Sequence, residues 1–183
     1  MPQQTKSRPL TSASATLGRV MTGSDGAAAF DPMRLDLRRV SLRPAVASDE
    51  PFARAAHHSA YRDVIERQFG SFDTPLQDGF FARAWANRGF VIVIHDDKQA
   101  GFARFERTPD ALVVHELVLL PTFQGAGLGT ELLRAAQKWT AARELPVTMQ
   151  VLRENRAARL YRRLGFQPCG ESATHVSMCW PPS

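Results

Sequence analysis

The chain has 183 residues, 44% of them apolar and 22% charged, with a formal net charge of +5. These proportions are ordinary for a globular protein and exclude wholesale disorder and a fibrous repeat. No apolar run approaches the ~20 residues that a membrane-spanning helix needs, so no membrane partner is expected.

Residues 1–40 hold six cations against three anions, so much of the charge excess lies at the start of the chain. An excess this small argues against a nucleic-acid partner and suits a polyanionic small ligand. Residues 1–32 are rich in Ser, Thr, Ala and Gly and have no sustained apolar period. The reading is a flexible extension over 1–37, then one domain over 38–183. A targeting segment, or a true start at Met33, is also open for this stretch.

From there the pattern alternates between element types. Residues 40–43 read as a short strand. Ser48 is placed to cap a helix running to about Val64, with Asp49, Glu50 and Pro51 in its first turn. A second helix is predicted over 76–86. Residues 90–94 form a continuous apolar, β-branched run, the mark of a buried strand. Asp96, Asp97 and Lys98 make a turn into a strand over 100–107. Another strand follows at 112–120. Gly125, Gly127 and Gly129 then open a helix with Leu128, Leu132, Ala135, Ala136 and Trp139 on one face. A strand at 147–152, a helix capped by Asn155 and ended by Gly165, and strands at 166–170 and 175–180 complete the chain. The fold class is α/β, with a mixed sheet in a single domain. Cys169 and Cys179 are too few for a disulfide scaffold. A bridge between them is open, and free thiols in a reducing cytoplasm are the expected state.

The glycine-rich stretch after the 112–120 strand is a candidate anion cradle, because the first backbone N–H groups of a helix are unpaired and carry partial positive charge. A nucleoside-triphosphate loop needs Lys before Ser or Thr at the helix start, and Gly129-Thr130 has none. A dinucleotide loop needs a third glycine where Thr130 stands. What fits is Gln124, Gly127 and Gly129, in the pattern Gln/Arg-x-x-Gly-x-Gly/Ala. Downstream, Asn155 precedes Leu160-Tyr161, with Gly165-Phe166 closing the block. In these two signatures, taken in order, the chain resembles the GNAT superfamily of N-acetyltransferases over roughly residues 38–180.

The resemblance implies a single-domain, mostly antiparallel sheet flanked by helices, with one splayed parallel strand pair. It implies acetyl-CoA as co-substrate, its pantetheine along Val118, Leu119 and Leu120. Its pyrophosphate would lie on Gln124, Gly125, Ala126, Gly127, Leu128, Gly129 and Thr130, with a further contact from Asn155. Ala126 departs from the family pattern, in which a basic residue is common at that place. The implied reaction is attack of a primary amine, of a small molecule or a peptide, on the thioester. Tyr161 matches the family's general acid. Glu116 is the candidate base: it stands in an otherwise apolar strand, where burial raises a carboxyl pKa. His115 faces the other way. Tyr61, Arg62, Trp85 and His175 are the candidate acceptor-side residues, with Phe69 and Phe72 beside them. Asp63, Glu66, Asp73 and Asp78 leave a polyamine acceptor open. His57 and His58 are adjacent on a helix and lack ligand spacing, so no metal is expected. Location is expected to be cytoplasmic, and homodimers are common among relatives. Two rival readings are a non-catalytic acyl-CoA sensor on the same fold and an RNA-directed enzyme using the basic tail.

Overall fold

A computed structural model of the chain describes residues 30–181; expectations for 1–29 lie outside these residues. The strands are β1 (Ser41–Pro44), β2 (Phe90–His95), β3 (Lys98–Arg107), β4 (Leu112–Leu119), β5 (Val147–Leu152), β6 (Gln167–Glu171) and β7 (His175–Trp180). The helices are α1 (Glu50–Phe69), α2 (Thr74–Trp85), α3 (Leu128–Ala141) and α4 (Ala158–Arg163). One sheet has the order β1-β2-β3-β4-β5-β7-β6. Every neighbouring pair is antiparallel except β4–β5.

The boundaries follow local chemistry. Asp73 accepts a hydrogen bond from the Leu76 amide (3.0 Å) and caps α2. The β2–β3 hairpin turns on Asp96 and Asp97 at φ 48° and 60°, the paired left-handed conformation whose twist matches that of the strands. Two helix expectations need correction. Ser48 does not cap α1, because it lies in a single 3-10 turn, Ala47–Asp49. The Asp49 carboxylate is drawn away by the Arg43 guanidinium (2.7 Å to each oxygen), which also holds its pKa down to about 2. And α1 continues past Val64 to Phe69, where Gly70 takes the left-handed cap at φ 87°.

Two apolar layers enclose the sheet. On one face α3 buries Leu128, Leu132, Leu133 and Ala136 against Val91, Val93, Leu112, Val114, Val147 and Met149. On the other, Ala53 and Ala56 of α1 and Phe81 of α2 cover Phe90, Ile92, Phe102 and Val118. Alternate residues of β2 thus enter opposite layers, which explains its unbroken apolar run. Each fully buried leucine contributes about 1.5–3 kcal/mol. Phe30 packs edge-on to Trp139 at 4.9 Å, so packed chain begins ahead of the expected boundary at 38.

Cys169 and Cys179 form a disulfide with Cα atoms 5.8 Å apart. The expectation of free thiols is corrected by strand register. Cys179 lies opposite Gln167, and a bulge between Pro168 and Gly170 brings Cys169 beside it. Among the described residues no helix is long and apolar enough to cross a membrane.

Candidate active site at the strand splay

The parallel β4–β5 ladder is short. It pairs Leu112 with Val147, Val113 with Thr148 and Val114 with Met149, then stops, although β4 runs on to Leu119 and β5 to Leu152. A wedge-shaped gap opens there. On its other side β4 stays paired to β3, with a break in register: Phe105 faces Val114, but Arg104 faces Glu116. His115 is therefore the extra residue of a bulge, a device that re-aims the side chains beside it. Its Nε2 meets Glu106 at 2.8 Å on the exposed side, and Glu116 stands just past the end of the ladder.

Three side chains converge around Glu116. Tyr61 of α1 donates its hydroxyl to Glu116 Oε2 at 3.1 Å. Arg104 is the cross-strand neighbour. Tyr161 comes from α4. Burial pushes the Glu116 carboxyl up to about 7, partly offset by the Tyr61 hydrogen bond and the Arg104 charge. Burial, and then the charge of Glu116, push the Tyr161 phenol up to about 12, so the two groups sense one another electrostatically. The same causes place Tyr61 well above its ordinary value. A carboxyl that titrates near neutrality thus stands beside a phenol that stays protonated.

The strand leads into the glycine loop. Gly125 and Gly127 adopt φ 75° and 85°, which side chains disfavour. Gln124 turns back and donates its amide to the Leu119 carbonyl (2.9 Å), drawing the loop against the strand end. Gly127 precedes α3 without a side-chain cap. Among the described residues, the N–H groups of Gly125, Ala126, Gly127, Leu128, Gly129 and Thr130 find no acceptor; the first closed bond is Glu131 N–H to the Gly127 carbonyl (3.0 Å). Six successive unpaired donors at a helix start are the kind of backbone run that suits an anion.

Sequence reasoning missed Arg39. Its guanidinium donates to the Ala126 carbonyl, setting a cation on the loop at the place where Ala126 supplies none. The segment is pinned on both sides: Glu131 Oε1 accepts from the Arg39 amide (2.9 Å), and His95 Nδ1 donates to the Arg39 carbonyl (2.7 Å). No local signal betrays this, because Arg39 and Ala126 are far apart in the chain.

The other expected residues divide. Asn155 Oδ1 accepts from the Ala157 amide (2.9 Å) and shapes the turn into α4. Tyr61 joins the Glu116 cluster. Trp85 does not; it stacks between Phe81 and Phe90, with centroids 5.6 and 4.7 Å away, at the partly exposed edge of that apolar layer. Arg62 lies over the Phe72 ring at 4.3 Å, on the α1–α2 connection. His175 spends Nδ1 on Thr174 Oγ1 at 2.8 Å, and burial lowers its pKa.

The end of the parallel ladder, the free N–H run at the start of α3 and the Glu116–Tyr161 pair thus lie on neighbouring elements. Residues 86–168 match the family model of the acetyltransferase (GNAT) domain, and the seven-stranded sheet with its flanking helices is the GNAT fold. Solved structures agree on the fold. PaiA N-acetyltransferase from Thermoplasma acidophilum, in complex with coenzyme A, is 15% identical with a TM-score of 0.61, covering 79% of this chain and 99% of its own. The ribosomal-protein-S18-alanine N-acetyltransferase from Escherichia coli is 20% identical, TM-score 0.53, covering 79% and 94%. An acetyltransferase from Thermus thermophilus is 17% identical, TM-score 0.61, covering 79% and 98%. A search of curated protein sequences finds no match.

Proposed function

We propose that the protein transfers the acetyl group of acetyl-CoA to a primary amine of a small molecule or peptide. The carrying observation is that the open run of N–H donors and the Glu116–Tyr161 pair border the same splay. The GNAT domain match and the coenzyme A complex of a fold neighbour support the reading.

The donors at residues 125–130 bind the pyrophosphate, and Arg39 adds a full charge beside them. The acceptor arrives as an ammonium ion. Glu116 takes one of its protons, directly or through a water, leaving a neutral nucleophile. The amine nitrogen bonds to the thioester carbonyl carbon, the C–S bond breaks, and the thiolate takes the Tyr161 proton. The surplus proton on the new amide nitrogen passes, directly or through water, to the Tyr161 phenolate. The transfers to Glu116 and from Tyr161 assist one another. Protonated Glu116 has no charge, so the field that weakened Tyr161 as an acid is gone when the thiolate departs. In this reading the protein sits in the cytoplasm with its acetyl donor, where the Cys169–Cys179 bridge is opposed by the thiol pool.

Titration calorimetry with acetyl-CoA tests the ligand, and thiol release with a panel of amines tests the reaction. Binding without thiol release for any amine supports the sensor reading instead; no heat with acetyl-CoA overturns both. In the same titration Arg39→Ala is expected to weaken acetyl-CoA about tenfold, the order of one charge-assisted hydrogen bond. It should leave acetyl-pantetheine, which lacks the pyrophosphate, unchanged. An equal loss for both ligands would place Arg39 in the fold rather than at the phosphates.

A further inference from the structure

Glu116 has two carboxylate oxygens in unlike settings. Oε2 accepts from Tyr61, whereas Oε1 has no protein partner among the described residues and is not sealed from solvent. Tyr61 in turn has a fixed pose. Its ring lies against that of His57, one helical turn earlier, at 4.5 Å between centroids, and His57 packs against Phe81 at 5.5 Å. His57 is buried, and its Nδ1 is both sealed and unpartnered. Burial, with a smaller push from His58, draws its pKa down to about 4. It is therefore a neutral wall behind Tyr61 and sends no charge toward the carboxylate. The groups facing Glu116 are then Tyr61 from α1, Arg104 from β3 and Tyr161 from α4.

We propose that Tyr61 is the positioning residue of the base: its hydroxyl ties down Oε2, turns Oε1 to the acceptor amine, and favours the ionised carboxylate. This rests on the acetyltransferase reading and gives a role in the chemistry to a residue outside both sequence signatures. The physical content is simple. A hydrogen bond donated to the charged form stabilises that form. A carboxylate free to spin about its last torsion presents its open oxygen only part of the time.

Tyr61→Phe removes the hydroxyl and keeps the ring on His57. The acidic limb of kcat/KM for thiol release is expected to move to higher pH by about one unit. One unit is a tenfold loss of ionised base well below the limb, so activity at pH 6 falls about tenfold. At pH 9 it stays within about twofold of wild type. A limb that does not move, or an equal loss at all pH values, overturns the proposal. A second readout does not depend on turnover: carbon NMR titration of the glutamate carboxyls, with Glu116→Gln used for assignment. The Glu116 resonance should titrate near 7 in wild type and higher in Tyr61→Phe. That shift in a protein that acetylates nothing would uphold the Tyr61 contact and strike down the enzymatic reading alone; no shift would strike down the contact.

Discussion

Tyr161→Phe is expected to lower kcat for acetyl transfer about 10²- to 10³-fold while leaving acetyl-CoA affinity within about twofold. The hydroxyl is the only atom removed. The ring keeps its edge contact with Phe166 (centroids 6.2 Å), so α4 and its packing survive. What is lost is the proton for the departing thiolate, a requirement that arises only in the transition state and therefore falls on kcat. A phenol pushed up to about 12 stays protonated from pH 6 to 9, so the fold-loss should be flat across that range. The acidic limb set by Glu116 should persist in the variant. Steady-state thiol release at several pH values, with calorimetry for the affinity, reads all of this. A variant that raises KM and leaves kcat alone would show Tyr161 to be a wall of the binding site, and the thiolate would need another donor.

What could be read in the sequence was local. The glycine loop announces itself because the turn, the unpaired amides and the helix lie within a few residues of one another. Glu116 is visible because a carboxylate in an apolar strand is expensive to bury. Gly165 marks a helix end through its left-handed backbone. What escaped was set by tertiary register. The His115 bulge depends on how β3 meets β4, and no pattern within β4 foretells it. Arg39 reaches the loop across the fold. Trp85 shows the ambiguity of aromatic residues, which line pockets and cores alike; its stack on Phe81 and Phe90 is set by how α2 meets β2 and carries no local signal. Tyr61 carries no motif, and its meaning came from the single bond to Glu116.

Glu116→Gln should abolish acetyl transfer at neutral pH by about 10²–10⁴-fold and yet make the protein more stable in alkaline buffer. The second half follows from linkage. The folded-state pKa of about 7 lies above the ordinary carboxyl value of 4.5. Between those values the native protein keeps a proton that the unfolded chain releases. The stability tied to that proton is full below pH 4.5 and lost as pH rises through 7. A glutamine never meets the cost of ionising there. The variant should match wild type near pH 4.5 and exceed it by about 3 kcal/mol above pH 7. His57 runs the opposite way: its folded pKa of about 4 lies below 6.5, so its contribution is absent at pH 4 and complete by pH 6.5. In the wild type the two oppose one another from about pH 4.5 to 6.5. In Glu116→Gln the rise due to His57, joined by the lowered His115 and His175, is no longer opposed by Glu116. Urea denaturation at pH 4.5, 6.5 and 8 separates the curves. If the glutamine variant gains nothing at pH 8, the carboxylate is hydrated where it stands, and burial cannot be what tunes it into a base.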